Sequence, residues 1–229
     1  MAEKAKTPSH IGHRARLRQR FLKGGANALA DYEILEFILF SAYPRKDVKP
    51  IAKTLIKHFG GLSAVLNADA ANLKDVDGVG DAAIAQIKIT QTAALHMLKE
   101  KHTKKPILSN WLSLMDYLRV AMGHLNTEQF RVLFLNAKNE LIADEIMQEG
   151  TINATPVYPR EIIHRALKLG ATALIMVHNH PSGDTKPSQS DIDITNQIIA
   201  VAEPLSIRIH DHIIVGKSET GSLKSMGYI

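Results

Sequence analysis

The run Thr172-Ala173-Leu174-Ile175-Met176-Val177 is apolar along its length and stops abruptly at His178-Asn179-His180-Pro181. A short apolar run bounded by turn-forming residues reads as a strand buried in the interior. Such a strand must be covered, and helical patterns flank it on both sides in the sequence. Strands mixed with helices in this way imply an α/β (α+β) arrangement, a sandwich or curled sheet with helices on its faces. Imidazoles do not usually cluster at the mouth of a buried strand for packing reasons. Chemistry is therefore expected at this strand end.

The rest of the chain divides about a charged run, Lys99-Glu100-Lys101-His102-Thr103-Lys104-Lys105-Pro106, which reads as a linker. Residues 1–10 form a polar leader. A basic helix begins near His13, with Leu17, Phe21 and Leu22 on one face. Further helices are expected over Ala30 to Ala42, Val48 to Phe59 and 81–99, with short pieces at 62–67 and 69–76. Beyond the linker, Trp111 to Leu125, Pro159 to Leu169 and 189–203 read as helices. Gln129 to Asn136 and Glu140 to Met147 read as strands joined by a turn at Ala137-Lys138-Asn139. Strands are also expected at 172–178, at Leu205 to Val215 and at Ser222 to Met226. The expected domains are a helical one over 1–104 and a mixed one over 107–229. A chain of 229 residues is long enough for two small domains and a core without staples.

Charge follows the same division. Residues 1–105 carry 18 Lys and Arg against 10 Asp and Glu, and residues 106–229 carry 10 against 13. A basic half and a mildly acidic half suggest modules with different partners; a merely solvated basic surface is the alternative. The chain has no cysteine, which rules out disulfides and thiolate metal sites and suits a reducing cytosol. No apolar run approaches the roughly 18 residues of a membrane span, and the first ten residues lack the apolar stretch of a signal peptide. A cytoplasmic protein with no membrane partner is expected.

His178 and His180 are one residue apart, so on an extended backbone both project to the same side. Asp191 falls in the first turn of the next helix, and the proline-bounded loop 181–187 can return that helix to the strand end. Two His and one Asp leave a fourth tetrahedral position for water, which is how catalytic rather than structural zinc is held. Zn2+, one per chain, is the expected cofactor. It lowers the pKa of bound water and polarises a carbonyl. Ser188 with Asp191 also has the form of a helix-capping box, although Glu or Gln is the usual third-position residue. The HExxH and HxE…PCxxC signatures of other zinc enzymes are absent. Glu161-Ile162-Ile163-His164 has the form of a di-iron half-site, but no second copy exists.

The spacing His178-x-His180-x7-Ser188-x-x-Asp191 matches the JAMM motif of MPN-domain metalloproteases. The wider text, EGTINATPVYPREIIHRALKLGATALIMVHNHPSGDTKPSQSDIDIT and RIHDHIIVG, resembles the bacterial RadC family. GHRARLRQRFLKGG, LADYEILEFILF and RKDVKPIAKTLIKHFGGL extend that resemblance over nearly the whole chain. It implies a helical N-terminal domain followed by a JAB/MPN domain with a curled mixed sheet flanked by helices. It also implies peptide or isopeptide hydrolysis, with a peptide or protein substrate that the sequence does not identify. By the same resemblance Glu128, just before the strand FRVLFLN, is the best match for the general base, with Glu145 and Glu149 as rivals. Ser188 would hydrogen-bond the developing oxyanion. His210-Asp211-His212 would lie near the site, where Asp211 or His212 could orient a ligand. The Asn between the two histidines reads as incidental.

In the basic half, Leu73-Lys74-Asp75-Val76-Asp77-Gly78-Val79-Gly80 resembles a helix-hairpin-helix element. Gly78 and Gly80 would let the backbone approach a DNA phosphate at a helix start. Asp75, Asp77 and Asp81 make the turn acidic, and Ile84 sits where a small residue is usual, so an αα-hairpin used only for packing is the alternative. The run Arg14, Arg16, Arg18, Arg20, Lys23 is the stronger argument for DNA, with Arg14 and Arg18 as candidate contacts. Two further function classes therefore stand beside the hydrolase: a DNA-associated, repair-linked protein, and an MPN domain that serves as a scaffold.

Overall fold

The structure, a computed structural model, describes residues 12–100, 106–150 and 157–229. The leader at 1–10, residues 101–105 of the expected linker and the segment 151–156 lie outside the described residues. The chain forms two compact units, Met1–Ala93 and Ala94–Ile229, and the division falls inside one long helix.

The first unit is helical: α1 (His13–Gly24), α2 (Asp31–Ala42), α3 (Lys49–Phe59), α4 (Leu62–Asn67), α5 (Ala70–Lys74) and the start of α6 (Asp81–Glu100). Pro50 opens α3, where a missing N–H is harmless, and Gly60 ends it in the left-handed conformation. Leu35 and Leu39 of α2, Ile51 and Leu55 of α3, Val65, Leu73 and Ile87 form its core. α1 differs from expectation. Only Leu17 is buried, while Phe21 and Leu22 are 41% and 75% exposed. The three share a face, but burial along it is confined to Leu17.

The second unit is a five-stranded mixed sheet in the order β2-β1-β3-β4-β5, flanked by helices. Its elements are α7 (Trp111–Met122), β1 (Glu128–Leu135), β2 (Leu141–Gly150), α8 (Pro159–Leu169), β3 (Ala173–Asn179), α9 (Gln189–Ala202), β4 (Arg208–Val215) and β5 (Thr220–Ser222). β3 is central, antiparallel to β1 and parallel to β4, and all seven of its residues are buried. Alternation splits its side chains between two cores. Ala173, Ile175 and Val177 pack with Leu114, Leu118 and Met122 of α7. Leu174 and Met176 pack with Ile162 and Ala166 of α8 and Ile198 and Ala202 of α9. The continuous apolar run is thus the signature of a strand covered on both faces.

Two strand ends differ from expectation. β4 starts at Arg208 because Glu203–Leu205 forms a 3-10 turn and Ser206 takes φ +58°. The last strand is Thr220–Ser222, since the Met226 N–H turns back to the Ser222 carbonyl. Among the described residues no helix is long and apolar enough to cross a membrane.

Candidate metal centre

His178 continues the even-numbered face of β3 toward α8 and α9. His180 lies just past the strand, yet its N–H still donates to the Val215 carbonyl at 3.0 Å and so prolongs the parallel pairing. The loop that follows is seated on two glycines. A Cβ at Gly216 would lie 2.5 Å from the Gly183 carbonyl oxygen, and one at Gly221 2.3 Å from the Thr185 carbonyl oxygen. Neither position can carry a side chain while the loop lies there. The loop delivers Ser188 as the N-cap of α9. The Ser188 N–H and hydroxyl both donate to Asp191 Oδ2 at 2.7 Å, and the Asp191 N–H donates back to the Ser188 hydroxyl oxygen. The capping box is therefore formed, with aspartate in place of the usual glutamate.

Together these elements bring His178, His180 and Asp191 to one point, with potential ligand atoms all within 4.8 Å of one another. His178 Nε2 is 2.9 Å from His180 Nε2 and 3.3 Å from Asp191 Oδ1, and His180 Nε2 is 3.5 Å from Asp191 Oδ2. A tetrahedral ion with bonds of about 2.0–2.1 Å spaces its ligand atoms by about 3.3 Å. The three contacts bracket that spacing, so the donor set fits a zinc-sized cation. The His180 Nδ1–H donates to the Asp184 carbonyl at 2.6 Å, which turns Nε2 toward the other two. His178 is held from the far side by the fully buried His212, 2.8 Å from its Nδ1, and by Phe130, its cross-strand partner on β1.

Electrostatics follow from this crowding. Burial works to raise the Asp191 carboxyl, but hydrogen bonds from both histidines, the His178 charge and the Ser188 hydroxyl outweigh it and hold the group well below the ordinary carboxylate range. The hydrogen bond to Asp191 raises the His180 imidazole against the opposing effect of its burial. Burial, with a contribution from the Asp191 charge, pushes the Glu128 carboxyl up, and the two histidines partly offset this. Burial pushes the His212 imidazole well below its ordinary value.

Glu128 opens β1 on the same face as Phe130 and lines one pocket of about 300 Å³ with His178, Asp191, Phe130, Ile194 and Gln148. Of its rivals, Glu145 is ion-paired with Arg165 and Glu149 is exposed on β2, opposite Gln129. Asn179 is not incidental. It is 1% exposed, accepts from the Gln129 N–H at 2.9 Å and donates to the Thr127 carbonyl at 3.0 Å. The β1–β3 ladder ends at Phe130 and His178, and the Asn179 amide takes over pairing on either side of Glu128. Of the triplet His210-Asp211-His212, only His212 reaches the site. His210 bonds Asn139, and Asp211 bonds the His212 and Lys224 amides and the Ser222 hydroxyl. His164 is exposed on α8.

The residues singled out for DNA lie in the first unit, and several have protein partners. Arg14 donates to the Phe40, Tyr43 and Lys46 carbonyls and stacks on Phe40. The Gly80 N–H donates to the Tyr43 hydroxyl at 2.8 Å, which in turn donates to the Gly78 carbonyl at 2.7 Å. Arg20 is ion-paired with Glu33, and Arg18 is exposed.

Comparison with known proteins agrees with this layout. The RadC-like JAB domain family matches residues 108–228, and the UPF0758 N-terminal family matches residues 9–85. A UPF0758 protein of Ruegeria pomeroyi is 50% identical over 223 residues, covering 97% of this chain and all of that protein. A UPF0758 protein of Rhodobacter capsulatus is 52% identical over 213 residues, covering 93% of this chain and all of that protein.

Proposed function

The chain belongs to the RadC-like JAB domain family, and from that premise we propose that it is a zinc-dependent hydrolase of the JAMM type acting on a peptide or isopeptide bond. The observation that carries the reading is the pocket that Glu128 shares with His178 and Asp191, two members of the cluster that His180 completes. These three side chains would hold the ion: two neutral imidazoles and a carboxylate, each already hydrogen-bonded on its far side. When bound, zinc supplies Lewis acidity, lowering the pKa of water and polarising the scissile carbonyl.

The remaining roles fall to the protein. Glu128 takes a proton from the attacking water and returns it to the leaving amine. Its raised pKa suits both halves of that task, since a carboxylate nearer neutrality is a better base and its acid a ready donor. Ser188 can offer its hydroxyl to the oxyanion only by releasing Asp191 Oδ2, its partner in the cap. Phe130 and Ile194 supply an apolar wall to the pocket.

The test is metal analysis of the wild type and of His178→Ala, alongside a peptide and isopeptide cleavage panel that includes Glu128→Gln. We expect about one zinc per wild-type chain, little in His178→Ala, and full zinc without turnover in Glu128→Gln. A His178→Ala protein that keeps its metal would sink the reading. Metal with no hydrolysis across the panel would favour a scaffold.

A further inference from the structure

Two buried side chains outside the ligand set link β3, β4 and α9 in a single file of hydrogen bonds. His178 Nδ1 is 2.8 Å from His212 Nε2, and His212 Nδ1 is 2.6 Å from the Thr195 hydroxyl. That hydroxyl in turn meets the backbone carbonyl of Asp191, one helical turn back. His212 and Thr195 are both 0% exposed. The file begins on the side chain of one candidate ligand and ends on the backbone of another.

Its direction follows from counting protons. A carbonyl only accepts, so the single proton of Thr195 goes to Asp191, the usual back-bond of a helical threonine. The Thr195 oxygen then accepts from His212, which must carry its proton on Nδ1. A neutral imidazole protonated there has a lone pair on Nε2, and that lone pair accepts from the His178 Nδ1–H. His178 is left with a bare Nε2, the atom that faces His180 and Asp191. The reverse order would set the His212 Nδ1 lone pair against a hydroxyl with no proton left to give.

We propose that Thr195, acting through His212, sets the tautomer of His178 and so keeps its Nε2 open to a divalent cation. Both are positioning residues, since neither is one of the three candidate ligands. His180 achieves the same result by a shorter route, because its Nδ1–H meets a carbonyl that can only accept. An imidazole neighbour has no such fixed polarity. His212 would serve either tautomer of His178 equally well, and Thr195 breaks the tie. The inference rests on the reading of His178, His180 and Asp191 as a metal site, but not on hydrolysis.

Nitrogen-15 NMR of the full-length, metal-free protein, above the ordinary histidine titration range, reads the tautomers directly. His178 and His212 should each be protonated on Nδ1; a proton on Nε2 of either overturns the proposal. Zinc affinity by chelator competition supplies the second readout. Thr195→Val keeps the shape, removes the acceptor and should weaken zinc binding by about 10- to 100-fold. Thr195→Ser restores the hydroxyl and should stay near wild type. Wild-type affinity in Thr195→Val overturns the proposal. If that variant does not fold, the wild-type tautomers decide alone. A wild type that binds no zinc refutes the metal reading, while the tautomer pattern is still read.

Discussion

Asn179 sits between two candidate ligands and faces away from both. Its amide fills the gap where the β1–β3 ladder runs out, and it grips the peptide units on either side of Glu128. Asn179→Ala should therefore retain zinc, yet lose about 100-fold in turnover, the cost of an active-site group misplaced by about 1 Å. Parallel metal and cleavage assays check this; undiminished turnover would show that β1 holds Glu128 unaided. The clustering of the three candidate ligands was legible in the sequence because His-x-His at a strand end and Asp in the next helical turn are local relations. The role of Asn179 was not, because it depends on β1 lying opposite β3, fifty residues away in the chain. Thr195 was hidden for the same reason, whereas the family resemblance already pointed to His212 as a residue that could orient a ligand. One clue was available: an amide at the end of a buried strand needs partners. Arg14 shows the converse. A basic run suggests a ligand, but only packing reveals that its guanidinium caps the end of α2.

At the scale of elements, apolar periodicity located nearly every helix and strand, because burial on one or both faces leaves a local mark. Ends were less legible where backbone geometry decides, as at Ser206 and at the turn after β5. The start of α2 shows what such an end can depend on. Ala30 has no side-chain acceptor, so the Glu33 carboxylate supplies the cap by accepting the Ala30 N–H at 3.0 Å while paired with Arg20. Burial works to raise this carboxyl, but the Arg20 hydrogen bond, the Ala30 amide and the Arg20 charge outweigh it, so its pKa is lowered. A depressed native pKa stabilises the fold above the ordinary value of 4.5, and that stability is lost as pH falls through the lowered native value. Glu33→Ala should destabilise the first unit by about 1 kcal/mol at neutral pH. Glu33→Gln should keep part of the cap but flatten the acid limb. Denaturant titrations at neutral and acid pH distinguish the two.

For the whole molecule, the uneven charge remains the argument for a nucleic-acid partner. With Arg14 and Arg20 engaged, any DNA contact by the first helix falls to residues such as Arg18 and Lys23. If the full chain binds duplex DNA through about four phosphates, affinity should drop about a hundredfold between about 50 and 200 mM salt. Arg18→Ala should lower the slope by about one, while Arg14→Ala should reduce stability instead. Fluorescence anisotropy across a salt series checks both, and no binding at low salt would leave the basic surface merely solvated. The second unit has a different relation to its expected partner. Ser188 fixes Asp191 through the helix cap, and the Asp184 carbonyl and His212 fix the two histidines. Under the proposed function, these tethers would leave the three side chains few rotamers to lose on closing around an ion. Affinity would then depend as much on the residues behind the cluster as on the three that face the ion.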